Sequence, residues 1–272
     1  MDRLAGFPSS LRARTALLRL GPAPALVALP EGEDRVPGLL WMHGRTAAKE
    51  LDSARYLRLI RAGVAVVALD LPGHGERADP ACQEPDALPE VLVQALGEVD
   101  PVLEALRRAP EAARLDPERL AVGGISLGGM VTLRRLCDPH PFRCATVEAT
   151  AGDFVAGARQ KGSPVSAPDR FLRARERGLD PLAHLDGWRP IPLLALHTAA
   201  DQLVPVAAIE SFVRALRVRY RTLGADPELV RLVTWPETGA LFEHVGFGRE
   251  ARAARELHVG FLAGHLSARP RG

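Results

Sequence analysis

Short, continuous apolar runs recur along this chain, separated by longer stretches in which apolar residues return every third or fourth position. Residues 25–29 and 38–42 form the first two runs, divided by the polar turn Glu31-Gly32-Glu33-Asp34, and each reads as a strand. Residues 64–69 are apolar throughout and rich in valine, the pattern of a strand buried on both faces. Residues 120–123, 144–147, 192–196 and 229–235 continue the series. Helical spacing marks residues 49–61, where Leu51, Tyr56, Leu57 and Ile60 recur and Gly63 supplies a C-cap. Further helices are expected at 88–108, at 127–137 before the stop Asp138-Pro139, at 206–223 and at 249–266.

Strands alternating with helices predict an α/β fold: a mostly parallel sheet with helices on both faces. No helical stretch separates the first strands, so an antiparallel edge is expected there. Residues 152–189 break the rhythm with Gly, Pro, Ser and charge, among which Phe154, Phe171, Leu172, Leu179 and Trp188 are scattered. They are expected to form a small lid inserted beside the sheet of a single domain spanning 1–272. No internal repeat is visible.

Composition narrows the chemistry. The 272 residues are ample for a large core, and 47% hydrophobic with 25% charged is ordinary for a globular protein. A net charge of +2, with the arginines dispersed, points to no nucleic-acid or membrane partner. Cys82, Cys137 and Cys144 make neither an even disulfide framework nor a Cys-x-x-Cys spacing, so reduced thiols are expected. Arg3, Arg12 and Arg14 precede Ala16-Leu17-Leu18, but Arg19 and Pro22 interrupt the run before a signal-peptide core is complete. No segment approaches the roughly 18 apolar residues of a membrane span. A cytoplasmic location is expected.

Absences prune further. Lys49 and Lys161 are the only lysines, and neither lies in a Gly-Lys-Ser/Thr phosphate loop. Thr46 and Ala158 stand three residues before them, which rules out a Ser-x-x-Lys pair. There is no asparagine, so a Cys-His-Asn site is impossible. No His-Glu-x-x-His occurs, and the sequence implies no metal and no cofactor.

The strongest chemical signal is Gly124-x-Ser126-x-Gly128, directly after the strand at 120–123 and before the helix at 127–137. Such a strand–turn–helix corner holds a serine in a strained conformation, and glycines relieve the crowding around it. The helix amino terminus then offers unpaired N–H groups to a developing oxyanion. An ordinary βα turn can carry the same glycines, so the reading depends on partners. Among eight histidines, His244 lies in the loop before the last helix and suits the base. His258 and His265 lie within that helix and read as surface or packing residues. His140 sits in a turn, His184 in the lid, and His197 ends a strand. Asp201 follows the carboxyl end of the strand at 192–196 and suits the orienting acid. Asp153 is its rival, and Asp201 can equally act as a cap. The order Ser126, Asp201, His244 fits the expected triad order. With no asparagine, the oxyanion donors are expected to be the backbone N–H groups of Leu127 and Arg45, with His43 propping the Arg45 loop.

These motifs, together with His43-Gly44…Lys49, Asp70-Leu71-Pro72-Gly73-His74-Gly75-Glu76-Arg77 and Asp201-Gln202-Leu203-Val204-Pro205, resemble the α/β-hydrolase superfamily over about residues 36–250. Within it the chain looks most like bacterial serine esterases related to dienelactone hydrolases and acyl-peptide-type peptidases. The resemblance implies an α/β-hydrolase fold with Ser126 as nucleophile, Asp201 as acid, His244 as base, and Arg45 and Leu127 as oxyanion donors. Dienelactone hydrolases use cysteine as nucleophile, so serine here points away from that activity. Glu243 before His244 also departs from the common Gly-His-x pattern. The implied activity is cleavage of carboxylic esters of small to medium acyl groups through an acyl-enzyme, with a small-molecule ester as partner. A thioesterase, a peptidase or a non-catalytic binding protein on the same fold are the alternatives. The sequence names no substrate-binding residue. Arg45 leaves open an anionic substrate or a side chain turned to solvent, and the 70–77 loop either lines a pocket or buttresses the site.

Overall fold

The computed structural model describes residues 2–159 and 169–267, and within them one eight-stranded sheet organises the chain. Its strands are β1 (Thr15–Leu20), β2 (Ala23–Ala28), β3 (Val36–Met42), β4 (Ala65–Leu69), β5 (Leu115–Ile125), β6 (Cys144–Glu148), β7 (Leu193–Thr198) and β8 (Val230–Trp235). The helices are α1 (Ser9–Arg12), α2 (Ser53–Arg61), α3 (Pro80–Gln83), α4 (Leu88–Arg108), α5 (Leu127–Arg135), α6 (Phe154–Ala158), α7 (Asp169–Glu176), α8 (Val206–Thr222) and α9 (Ala251–Ser267). The strand order is β1-β2-β4-β3-β5-β6-β7-β8. β1 and β2 pair antiparallel, β2 pairs antiparallel with β4, and every other pairing is parallel.

The pleat sends alternate residues to opposite faces, and both faces are covered. Leu40, Met42, Val67, Val122 and Val147 point into one core with α4, α5 and α8. Leu39, Trp41, Val66, Ala68 and Ala121 point into the other, closed by α2 and α9. This is why the valine-rich run of β4 carries no polar position. On α9 the buried residues Ala254, His258, Leu262 and Leu266 recur every fourth position, a single stripe laid on the sheet. His258 is thus a packing residue, while His265 is exposed.

Several boundaries differ from those the spacing predicts. β1 arises from the segment whose charges interrupt an apolar run; as the sheet edge it keeps Leu17 and Arg19 exposed, so it shows no continuous apolar signal. Residues 49–52 are a turn, not a helix, because Asp70 holds the Lys49 backbone N–H at 2.9 Å. Of the expected lid at 152–189, residues 160–168 lie outside the described residues. The described flanks pack into the main core, with Phe154, Phe171 and Trp188 buried. No described helix is long and apolar enough to cross a membrane.

The chain runs β3–α2–β4 to one side of β3 and then returns by α4 to place β5 on the other. α2 and α4 cover opposite faces, as right-handed crossovers require. The order therefore reverses at β3 and β5, and open α/β sheets bind ligands in the crevice at the carboxyl ends of such strands. Met42 pairs with Gly124 in register, so both strands end at one level there.

Candidate active site

Ser126 stands on the corner between β5 and α5. Its backbone has φ 54° and ψ −112°, a conformation that costs a non-glycine residue about 1–3 kcal/mol. The surroundings enforce it. The Ser126 N–H donates to the Glu148 carbonyl at 2.8 Å, and its own carbonyl accepts from Thr150 Oγ1 at 2.7 Å and Met130 N at 3.0 Å. The two elbow glycines are required by close approach. A Cβ at Gly124 would lie 2.4 Å from the Gly128 carbonyl carbon, and one at Gly128 would lie 2.2 Å from the Met42 oxygen. That contact lets the Gly128 N–H reach the His43 carbonyl at 3.1 Å, which docks the start of α5 on the loop after β3.

Three loops bring the polar groups together. His244 follows a short 3-10 turn beyond β8, and its Nε2 lies 2.8 Å from Ser126 Oγ. Its Nδ1 lies 2.7 Å from Asp201 Oδ2. Asp201 Oδ1 accepts from the N–H groups of Leu203 at 2.8 Å and Val204 at 2.9 Å, which fixes the carboxylate plane. The Gln202 N–H also donates to the Phe242 carbonyl at 3.2 Å, joining the loop of the acid to that of the histidine. Asp153 is occupied elsewhere. It caps α6 through Ala156 N and accepts from Ser211 Oγ at 2.6 Å. His197 lies beneath, wholly buried, with Nε2 3.9 Å from Asp201 Oδ2.

Glu243 explains how His244 is held. Its buried carboxylate accepts from Thr238 N and Thr238 Oγ1 at 2.7 Å each, from Gly239 N at 2.5 Å and from Thr198 Oγ1 at 3.1 Å. Burial pushes its pKa up, but these donors outweigh burial and hold it below the ordinary glutamate range. They also sustain positive φ at Phe242 and Glu243, both 52°. The sequence signalled this residue only as a departure from Gly-His-x.

The Leu127 N–H follows the serine at the start of α5, and the Arg45 N–H belongs to the loop after β3, one residue beyond Gly44, where a Cβ would lie 3.4 Å from Ser126 Cβ. Neither donates to a backbone acceptor among the turn and loop hydrogen bonds of the described residues. His43 accepts the Leu71 N–H on Nε2 at 3.0 Å, which leaves Nδ1 to donate to the Gly44 carbonyl at 2.7 Å. Burial lowers its pKa to about 4, so the ring is neutral and braces the loop. The 70–77 loop is a buttress: Asp70 receives Lys49 Nζ at 2.8 Å and Glu76 N at 2.9 Å, and Arg77 pairs with Glu98. Neither His74 nor Arg77 lines the cavity.

That cavity has a volume of about 590 Å³ and is walled mainly by apolar residues, among them Leu88, Val91, Met130 and Val204. Ser126 and His244 open onto it. Leu51, Leu241, Phe242 and Val245 also line it while remaining exposed, which puts them at its mouth. Behind the elbow lies a buried ion pair that the sequence did not reveal. Arg55 Nη1 and Nη2 meet Glu148 Oε1 at 2.5 Å and Oε2 at 2.7 Å. His258 Nδ1 lies 3.1 Å from Glu148 Oε1, and the Arg55 guanidinium covers the Trp41 ring at 4.3 Å.

Comparison with known proteins agrees with this architecture. The model of the alpha/beta hydrolase family matches residues 8–271. The chain is 30% identical over 197 residues to the esterase YjfP of Escherichia coli K12, which covers 68% of this chain and 78% of that protein. The crystal structure of TT1662 from Thermus thermophilus superposes with a TM-score of 0.68 at 26% identity, covering 94% of this chain and 99% of that one. The acylaminoacyl peptidase of Pyrococcus horikoshii shares the fold with a TM-score of 0.72 at 17% identity, across 95% of this chain and 42% of its own.

Proposed function

This chain belongs to the alpha/beta hydrolase family and is an esterase-like hydrolase, and on that premise we propose that it is a serine hydrolase cleaving carboxylic esters of small to medium acyl groups. The observation that carries the reading is His244, which touches Ser126 Oγ with one ring nitrogen and Asp201 with the other. Ser126 Oγ attacks the ester carbonyl while His244 Nε2 takes its proton. Asp201 keeps the proton-bearing Nδ1 turned inward and stabilises the imidazolium that forms. The negative oxygen of the tetrahedral intermediate is received by the N–H groups of Leu127 and Arg45, at the amino terminus of α5. His244 returns the proton to the departing alcohol, leaving Ser126 acylated. A water deprotonated by His244 then attacks the acyl-enzyme, the carboxylic acid departs and Ser126 regains its proton.

The size of the cavity supports a modest acyl group, since about 300–1,000 Å³ is typical for small-molecule sites. Reaction with a fluorophosphonate tests the nucleophile: the native protein is labelled and Ser126→Ala is not. Equal labelling of both, or of neither, rejects the proposal. A series of 4-nitrophenyl esters tests the acyl preference. Turnover is expected to peak at short or medium chains, and a maximum at long chains rejects that part.

A further inference from the structure

The charges around the cavity do not cancel where they lie. Asp52, Glu84 and Glu148 are the acidic residues of its wall, against Arg45, Arg55, Arg170 and Arg255. Arg55 consumes two of the three acids, with Asp52 Oδ2 at 3.3 Å from its Nε and Glu148 gripped end to end. Arg45 and Arg170 form no ion pair with any described residue within 4.0 Å. Each spends a nitrogen on a backbone carbonyl instead: Arg45 Nη1 on Gln83 at 2.7 Å and Arg170 Nη2 on Leu203 at 3.2 Å. Arg170 is only 7% exposed and lies over the Phe171 ring, with its carbon 4.9 Å from the ring centre. The nearby acids act on the two arginines only from a distance, Asp86 on Arg170 and Glu84 on Arg45, and neither forms an ion pair with them within 4.0 Å. Glu84 is exposed, and Asp86 is exposed and bonded to Arg173 at 2.9 Å.

A guanidinium carries five N–H donors in a rigid fork, so most of the donors of both arginines are uncommitted. Burying such a group without a counter-charge is unfavourable, and a carboxylate received by the fork offsets that cost through charge-assisted hydrogen bonds. Burial and the neighbouring Arg45 charge lower the Arg170 pKa to about 10, which still leaves it charged at neutral pH. Arg45 follows Gly44, where a Cβ would lie 3.4 Å from Ser126 Cβ, and Arg45, Arg170 and Ser126 line one cavity.

We propose that Arg45 and Arg170 form an anion subsite beside Ser126, which seats a carboxylate carried by the ester substrate. The preferred substrates are then monoesters of dicarboxylic acids, or esters whose alcohol half bears the carboxylate. This deepens the serine-hydrolase reading and rests on it for turnover, but not for binding.

Three chromogenic esters test it: neutral 4-nitrophenyl butyrate, the mono-4-nitrophenyl ester of succinic acid, and the butyrate ester of a carboxylated 4-nitrophenol. In the native protein at least one anionic ester is expected to exceed the neutral ester in kcat/KM by about tenfold or more, as one charge-assisted contact provides. In Arg170→Gln that ratio falls toward one, in Arg170→Lys part of it returns, and in Arg170→Glu it drops below one. Binding is read separately in Ser126→Ala, whose Tm is expected to rise with millimolar glutarate. The rise disappears in Ser126→Ala/Arg170→Gln. Absence of preference for either anionic ester in the native protein, an unchanged ratio in Arg170→Gln, or no effect of glutarate on Ser126→Ala overturns the subsite. Loss of fluorophosphonate labelling with glutarate binding retained would instead reject the serine-hydrolase reading and keep the subsite.

Discussion

The Glu148 carbonyl holds the Ser126 N–H at 2.8 Å, and the carboxylate of the same glutamate grips Arg55. The residue that fixes the backbone of the serine is thereby anchored to α2 by a buried ion pair, and to α9 through His258. Burial alone would raise the Glu148 pKa; the Arg55 charge, followed by His258, lowers it to about 2. Its stabilising contribution is present above the ordinary glutamate range and is lost as pH falls through about 2.

Breaking this pair from one side strands a buried charge. Arg55→Met is expected to lose about 3–5 kcal/mol of stability, and Arg55→Met/Glu148→Met to recover part of that loss. Urea unfolding checks both. A single variant within about 1 kcal/mol of the native protein would show that the pair is not the anchor described.

The strain at Ser126 predicts an exchange of activity for stability. Glycine tolerates a φ of 54°, so Ser126→Gly is expected to gain about 1 kcal/mol while hydrolysis is lost. Thermal unfolding beside an ester assay decides this, and a Tm below that of the native protein would contradict it.

His43 gives a pH dependence with a definite sign. It stays neutral when folded down to about pH 4, whereas in the unfolded chain it takes a proton near its ordinary value of 6.5. The unfolded state therefore binds more protons in that window, and stability falls as pH drops from about 6.5 to about 4. His140, also lowered to about 4 by burial, acts in the same direction. Tm measured from pH 7.5 to 4 is expected to decline through this range, less steeply in His43→Gln. Parallel curves for the two proteins would remove His43 from the explanation.

Glu243 accepts from Thr198, Thr238 and Gly239 and not from Ser126, so in the proposed mechanism it is expected to act through His244, as a positioning residue. Glu243→Gln cannot satisfy all four donors at once, and loosening the turn is expected to cut kcat at least tenfold with KM little changed. The fluorophosphonate labelling rate should fall in parallel. A rise in KM alone would place the residue in substrate binding instead.

Much of the fold was legible because burial leaves a local trace. The helix at 88–108 and the valine run of β4 are read from periodicity, since each buries a face or both faces within one segment. β1 escaped because an edge strand is half solvated and mixes Leu17 with Arg19. Residues 49–52 escaped because a contact with Asp70, far along the chain, overrides their helical spacing.

By itself the sequence determined the α/β alternation, the serine corner with its crowding glycines, and the order of serine, aspartate and histidine. These are properties of short segments, and short segments carry them. Only the tertiary structure brought Asp201 and not Asp153 to His244, placed His258 beside Glu148, committed Arg55 to two acids of the cavity and left Arg45 and Arg170 without an ion pair among the described residues. Such pairings join residues that the order β4-β3-β5-β6-β7-β8 brings together from distant parts of the chain. Periodicity records which side of a segment is buried, whereas charge compensation depends on what is buried against it.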